Sequence, residues 1–228
     1  MKRSIQLVLT IALFGLGGCA SQERSGAAGW RGQFAVDKAK LADTGQNPFF
    51  ILEPGYKLGM TAAAATLTIT VLGETEIVDG VVTRVVEERE TKRGALIEVS
   101  RNFFAIDPGT GDFYYFGEDV DIYKGGKIVS HEGAWRSGVR GARFGLMIAG
   151  TPRLGDKYYQ EIAPKVAMDR VEIVALDEKF ETPAGTFKNC LRMKETSAIE
   201  AGSGVKIYAP GVGLVKDDEF VLVRYGKI

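Results

Sequence analysis

From residue 47 onward the chain alternates apolar and polar residues in short runs, which clusters of Gly, Pro, Asp and Asn interrupt about every ten residues. Residues 66–71 alternate strictly, which places Leu67, Ile69 and Val71 on one face of a strand and three threonines on the other. This period of two predicts a half-buried β-strand. Strands and helices do not alternate along the chain, so the pattern favours an antiparallel sheet.

The turn residues predict which strands pair. Asp79-Gly80 lies between two β-branched runs, and both positions of a type I′ turn need the positive φ that such residues tolerate. A hairpin is therefore expected between residues 68–78 and 81–91. Further turns are predicted at residues 93–94, 107–112, 124–127, 182–185 and 209–211, and a last strand at residues 219–225.

Together these segments predict a mainly β domain, built as a single curved antiparallel sheet or half-barrel of roughly ten to twelve strands. Little helix is expected after an N-terminal signal is removed. One short helical turn is predicted at residues 35–41, where Val36, Ala39 and Leu41 share one side. Gly45 and Pro48 end it.

The N-terminal segment has the order of a secretory signal. Lys2 and Arg3 precede the apolar residues 5–16, and Gly17 and Gly18 follow. The apolar stretch is shorter than the ~20 residues that a membrane-spanning helix needs. We therefore interpret residues 1–18 as a signal peptide.

Cys19 follows this signal directly. The segment LGGC at residues 16–19 resembles the lipobox of bacterial lipoproteins, which implies cleavage before Cys19 and a lipid on its thiol. An alternative is the small-x-small pattern of Gly18 and Ala20, which would release a soluble protein after Ala20. Because two or more acyl chains anchor a protein stably, a lipidated Cys19 would make the membrane a permanent partner.

Residues 20–29 are small and polar and predict a flexible tether. The expected organisation is a lipoprotein signal peptide at residues 1–18, a lipidated cysteine with its tether and short helical turn at residues 19–46, and a β-rich globular domain at residues 47–228. Ala20 and Ser21 follow Cys19 with no Asp at the second position. By resemblance to enterobacterial sorting, this favours the outer membrane facing the periplasm if the source has two membranes.

Charge and cysteine content narrow the function. The chain has 29 basic and 29 acidic residues, and removal of Lys2 and Arg3 with the signal leaves a net charge of −2. No global attraction to nucleic acid follows, so no nucleic-acid partner is predicted. Cys19 and Cys190 are the two cysteines. Lipidation of the first would leave the second without an intramolecular partner, which excludes a disulfide framework.

Two segments carry a family resemblance: FETPAGTFKNC at residues 180–190 and KIYAPGVGLVK at residues 206–216. They resemble a recurring pattern of uncharacterised bacterial envelope lipoproteins, and the runs at residues 47–50, 115–119 and 155–158 extend the likeness over most of the mature domain. The architecture of those proteins looks related to the half-barrel of the lipoprotein-localisation factors. That resemblance implies a curved antiparallel sheet able to cradle acyl chains.

Candidate catalytic residues are few. His131 is the single histidine, so the sequence contains no multi-histidine zinc site. Cys190 lies in an apolar run, where a small buried thiol is the ordinary interpretation and a catalytic pairing with His131 is the alternative. No catalytic constellation, metal site or cofactor is predicted.

Five acidic residues within residues 107–121 are a candidate calcium site or a candidate hydrolase centre: Asp107, Asp112, Glu118, Asp119 and Asp121. Counting from Asp107, an EF-hand would need ligands at its third and fifth positions, which are Gly109 and Gly111. A tight turn followed by solvated acids is therefore favoured over a cation site.

A run of aromatic residues offers a further clue: Phe103, Phe104, Phe113, Tyr114, Tyr115, Phe116, Tyr123 and Trp135. Strand alternation sends some to each face of the sheet. If the inner face of a curved sheet is incompletely filled, these residues line an apolar groove. Ordinary core packing and cross-strand pairing are the other interpretation.

We therefore expect a membrane-anchored bacterial lipoprotein that acts as a non-catalytic envelope binding or assembly module, for an apolar ligand or a partner protein. A carboxylate-dependent hydrolase of the cell envelope is the alternative. The sequence alone does not decide between a binding or assembly module and a hydrolase.

The anchor makes a direct prediction. Cys19→Ser should abolish the incorporation of labelled fatty acid and leave an unprocessed precursor, because both steps depend on the thiol. Metabolic labelling followed by gel analysis checks this. Labelling that persists in the variant would overturn the assignment of Cys19.

Overall fold

The computed structural model describes residues 29–227, and over this range the chain is almost entirely β. One 3₁₀ turn at Lys38–Lys40 represents the predicted helical segment, with the Asp37 side chain accepting a hydrogen bond from the Ala39 amide at 3.2 Å. The expected signal peptide, Cys19 and most of the expected tether lie outside the described residues. The mainly β, antiparallel class predicted from the alternation is confirmed.

Seventeen strands occur within the described range, and eleven of them have five or more residues. The strands are β1 (Gly45–Asn47), β2 (Phe50–Leu52), β3 (Tyr56–Ala62), β4 (Ala65–Val78), β5 (Val81–Lys92), β6 (Ala95–Ile106), β7 (Phe113–Lys124), β8 (Lys127–Ser130), β9 (Trp135–Arg136), β10 (Arg143–Ile148), β11 (Lys157–Tyr159), β12 (Glu161–Ile162), β13 (Asp169–Thr182), β14 (Gly185–Ser197), β15 (Gly204–Ala209), β16 (Gly213–Asp217) and β17 (Phe220–Lys227).

One large antiparallel sheet contains fifteen of these strands, and β1 and β2 form a separate pair. Its order is β11-β13-β14-β15-β16-β17-β3-β4-β5-β6-β7-β10-β12, with β8 and β9 paired to β7. Sequence neighbours are mostly sheet neighbours, as the turn residues predict. The exception in the middle of the sheet is the pair of β17 and β3, in which Leu222 lies opposite Met60. This pair joins the last strand to the first long strand of the chain.

The two ends of the sheet order are adjacent in sequence. Strands β11 and β12 are separated by Gln160 alone; β11 pairs with β13 and β12 pairs with β10. The Gln160 side-chain amide also donates to the Met147 carbonyl of β10 at 3.0 Å. A single extended segment therefore links both edges, and the predicted curved sheet is nearly a closed ring.

The predicted turns are present. Asp79 and Gly80 have φ values of 52° and 79°, as a two-residue type I′ turn requires, and Val78 pairs with Val81 on either side. The predicted turn at residues 182–185 closes β13 onto β14, and Gly211, with φ of 72°, takes the third position of the turn after Ala209.

The aromatic run divides between the two faces of the sheet, as alternation predicts. Phe103, Tyr114 and Phe116 belong to one buried cluster, which is the larger, whereas Phe104, Phe113, Tyr115 and Trp135 belong to the other. The Phe104 and Tyr115 rings stack with centroids 4.8 Å apart. Most of this run is therefore ordinary core.

Closure of the ring makes a prediction about Gly145 on β10. A Cβ at this position would lie 2.4 Å from the Gln160 carbonyl atoms and 2.6 Å from the Tyr159 oxygen, so Gly145→Ala must push the linking segment away. We expect a loss of about 1–3 kcal/mol in the free energy of unfolding, measured by urea denaturation. Gly73→Ala on β4 is the matched control, because a Cβ there meets nothing within 4 Å. Equal stability of the two variants would contradict this account of closure.

Candidate functional site

An acidic cavity of about 110 Å³ opens inside the ring, between the β5–β6 hairpin and the β16–β17 turn. Its lining is Leu67, Glu88, Glu90, Glu98, Ser100, Asp217, Asp218, Glu219 and Phe220. Six of these nine side chains are carboxylates and none is basic. Alternation along β5 and β6 produces this arrangement, because Glu90 lies directly opposite Glu98 and Glu88 directly opposite Ser100.

An apolar cavity of about 60 Å³ adjoins it and shares Glu88 and Asp217 with it. Residues from eight strands line it, as expected for a cavity that a nearly closed sheet surrounds. The lining residues are Phe50, Ile51, Tyr56, Leu58, Ile69, Val71, Val86, Glu88, Phe104, Met147, Lys206, Tyr208, Val212, Gly213, Leu214 and Asp217. The two cavities form one amphipathic space with the carboxylates of Glu88 and Asp217 at the junction.

Glu88 is a carboxyl group of this space whose pKa is raised close to neutral pH. Burial raises its pKa from 4.5 to about 7; Lys206 opposes this rise, whereas Asp217 and Glu98 add to it. Its side chain retains partial exposure to solvent, because it faces a cavity rather than packed protein. At neutral pH the carboxyl group is therefore divided between its protonated and ionised forms.

Lys206 of β15 is the cation of the interior. Its ammonium lies 3.2 Å from a Glu195 carboxylate oxygen and 3.9 Å from an Asp217 oxygen. Although burial disfavours the charged amine, Asp217 and Glu195 hold its pKa well above the usual value. Lys206 therefore pairs with these two carboxylates, and its charge also acts on Glu88 without an ion pair within 4 Å among the described residues.

Tyr208, also on β15, presents a buried polar group that has no partner. Its side chain is 1% exposed and lines the apolar cavity, and its hydroxyl makes no hydrogen bond with the described residues. An unsatisfied buried hydroxyl costs about 1–3 kcal/mol. The Tyr208 side chain forms part of the wall of the apolar cavity.

Glu161 of β12 is a second buried carboxyl group in the segment that closes the ring, at 5% exposure. Burial, followed by the nearby charges of Glu118 and Asp169, raises its pKa well above 4.5. Closure of the sheet therefore favours the neutral form of this carboxyl group at the joined edge.

The structure disperses the acids that were weighed as a candidate cation site. Asp107 accepts from the Gly109 amide at 2.8 Å and stabilises its own turn. Asp112 accepts from the Gly150 amide at 2.8 Å and joins this turn to the segment after β10. Asp119 pairs with Arg136 at 2.8 Å. Among residues 29–227, no group of three or more His, Cys, Asp or Glu side chains is placed to hold a metal ion.

The structure gives His131 and Cys190 separate surroundings. The His131 Nδ1 atom lies 2.8 Å from the Val120 carbonyl and 3.0 Å from the Asp121 carboxylate. Cys190 is fully buried on β14, and burial followed by the charge of Glu178 raises the pKa of its thiol. A raised thiol pKa is the opposite of what a nucleophilic cysteine needs.

None of the six carboxylates that line the acidic cavity was among the candidate site residues named from the sequence. A usable signal exists for one of them. Glu88 is the cross-strand partner of Ile69, and Ile69 belongs to the alternating apolar face recognised from sequence. Partners in an antiparallel ladder share a face, so Glu88 had to point inward with Ile69.

Comparison with known proteins gives a single weak likeness. No protein-family model matches the chain, and no curated protein matches it. Among solved structures, a "putative lipoprotein" from Parabacteroides distasonis is similar over 80% of this chain and 100% of its own length, with 13% sequence identity and a TM-score of 0.38. These results assign the chain to no family, and the lipoprotein resemblance drawn from its sequence remains a prediction.

Within residues 29–227, no helix is long and apolar enough to cross a membrane.

The raised pKa of Glu88 predicts a pH-dependent stability. The neutral form is favoured in the folded state, so its contribution is complete below about pH 4.5 and is lost as the pH rises through about 7. Glu88→Gln keeps the neutral shape at every pH. Between pH 4.5 and 8 the wild type should therefore lose about 2 kcal/mol of unfolding free energy relative to the variant.

Urea denaturation at several pH values measures this difference. Glu132→Gln, at an exposed position outside both cavities, is the matched control and should follow the wild-type curve. Parallel curves for Glu88→Gln and the wild type would contradict the enclosed position of Glu88.

Proposed function

We propose that this protein is a non-catalytic lipoprotein of the bacterial envelope, anchored through a lipid on Cys19, whose β domain binds a small amphipathic molecule inside the sheet. In a source with two membranes, the proposed location is the outer membrane facing the periplasm. The observation that carries the binding role is the amphipathic space lined by Tyr208, whose buried hydroxyl lacks a partner.

The size of the space selects the kind of ligand. Sites for drug-sized molecules have volumes of about 300–1,000 Å³. The two cavities, of about 110 Å³ and 60 Å³, are much smaller. The space therefore suits a small molecule and is too small to enclose a whole acyl chain.

The composition and rigidity of the cavity walls also support ligand binding. Most of the interior is packed core, whereas the cavity walls combine rigid strands with a few polar groups that converge from β5, β15 and β16. Apolar walls with a small number of placed polar groups are the usual composition of a ligand site. Because the groups lie on strands of one continuous sheet, they are held in position before a ligand arrives.

The test uses the chain without residues 1–28, which retains all seventeen described strands. Ile69→Phe, at a cavity-lining position, fills the apolar space with a larger side chain. We expect ligand-observed NMR with a set of small amphipathic probes to show binding to the wild type and loss of binding to Ile69→Phe. Circular dichroism verifies that the variant is folded. Equal binding by both proteins, or no binding to either, would overturn the proposal.

The anchor is tested on the full chain by fatty-acid labelling of Cys19→Ser, and Cys190→Ser is its matched control. Cys190 is buried in β14, so its loss should leave labelling unchanged. Labelling lost in the Cys190 variant as well would contradict the assignment of the lipid to Cys19.

A carboxylate-dependent hydrolase is the second candidate, and Glu88 rather than the acids at residues 107–121 is what supports it. A carboxyl group with a pKa of about 7 is suited to general acid–base catalysis, and Asp217 shares its cavity. Turnover of chromogenic esters or glycosides that is lost in Glu88→Gln and kept in Glu132→Gln would establish this role. Absence of turnover in the wild type would remove it.

A further inference from the structure

The charges around the cavity are unbalanced. Among the described residues, Glu88, Glu90, Glu98 and Glu219 make no ion pair within 4 Å, and Lys206, whose charge acts on Glu88, pairs with Glu195 and Asp217 instead. Glu90 and Glu98 face each other directly across the ladder. Like charges at such positions are destabilising, so a cation in this space would relieve a repulsion that the fold itself creates.

The orphan hydroxyl of Tyr208 is an independent sign of a guest. Tyr208 is 1% exposed and lines the apolar cavity, into which Glu88 and Asp217 also project from the acidic side. A molecule spanning the junction would meet carboxylates at one end and apolar walls with a hydrogen-bonding oxygen at the other. Neither the acids alone nor the apolar walls alone specify such a molecule.

We propose, resting on the binding function above, that the ligand is a small organic cation: a protonated amine carrying a short apolar substituent. The ammonium group lies between Glu88 and Asp217, and the substituent packs against Ile69, Val71 and Phe104. The Tyr208 hydroxyl oxygen accepts a hydrogen bond from a donor of the ligand.

Other ligand classes fit less well. An anion would meet six carboxylates at the mouth and a lysine that is already paired. A bare metal ion prefers several converging carboxylates, and no such group of three occurs within residues 29–227. A neutral apolar molecule would leave the repulsion between Glu90 and Glu98 in place.

Binding should strengthen as the pH rises from about 6 to about 8, because only ionised Glu88 attracts the ammonium group and burial raises the pKa of Glu88 to about 7. The charged groups that face Glu88 are Lys206 of β15, Asp217 of β16 and Glu98 of β6, with Glu90 on its own strand. Since three of these four are acidic, the surroundings add to the attraction for a cation.

The experiment titrates the chain without residues 1–28 with n-butylamine, n-butanol and butyrate, which share one chain length and differ in charge. We expect chemical shifts of Tyr208 and Ile69 to report binding of butylamine, at least about tenfold more tightly than butanol or butyrate. Glu88→Gln should weaken butylamine binding by about tenfold or more. Glu132→Gln should leave it unchanged.

The outcomes separate this inference from the function on which it rests. If butanol or butyrate binds in the cavity as tightly as butylamine, or if Glu88→Gln binds butylamine as the wild type does, the cation assignment is wrong and the cavity remains a ligand site. If none of the three probes binds, the cation assignment is wrong; if the amphipathic probe set also fails to bind, the proposed binding function is wrong as well. Thermal unfolding of each variant verifies that it is folded.

Discussion

The segment from β11 to β12 is the constraint on which this structure depends. Because it pairs with β13 through one half and with β10 through the other, the two edges of a long antiparallel sheet are joined and the sheet acquires an inside. Joining the edges also removes the exposed edge strands, whose unpaired backbone groups allow open sheets to aggregate. Every buried charge and cavity described above follows from enclosing one face of the strands in this way.

Enclosure changes the chemistry of ordinary residues. A glutamate such as Glu88 on a solvated strand would be a simple surface charge, whereas inside the ring loss of water raises its pKa to about 7. Lys206 is kept charged there by two carboxylates. The Tyr208 hydroxyl has no hydrogen-bonding partner among residues 29–227. The interior is therefore polar at one end and apolar at the other, an arrangement that core packing alone would not require.

The fold could be predicted because its signals are local. Asp79-Gly80 specifies its hairpin through backbone conformation, and the alternation of Leu67 and Val71 specifies a buried face. Closure could not be predicted, since it depends on how closely Gly145 lets Gln160 approach, and nothing near either residue encodes that contact. The predicted curved antiparallel sheet is thus confirmed, and its near closure is what the structure adds.

Only part of the candidate site could be predicted from the sequence. Continuing the ladder regularly from the Asp79-Gly80 turn places Glu88 opposite Val71; the irregularity in β4 moves it to Ile69, a shift of two residues that keeps it on the same inward face. Lys206, Tyr208 and Asp217 come from strands far along the chain, and only the closed topology brings them together. The most direct test is the pKa of Glu88, measured by NMR of its carboxyl carbon with and without n-butylamine. We expect a midpoint of about 7 that falls when the amine is bound; a midpoint near 4.5, or one that the amine leaves unchanged, would contradict an enclosed acidic site that receives a cation.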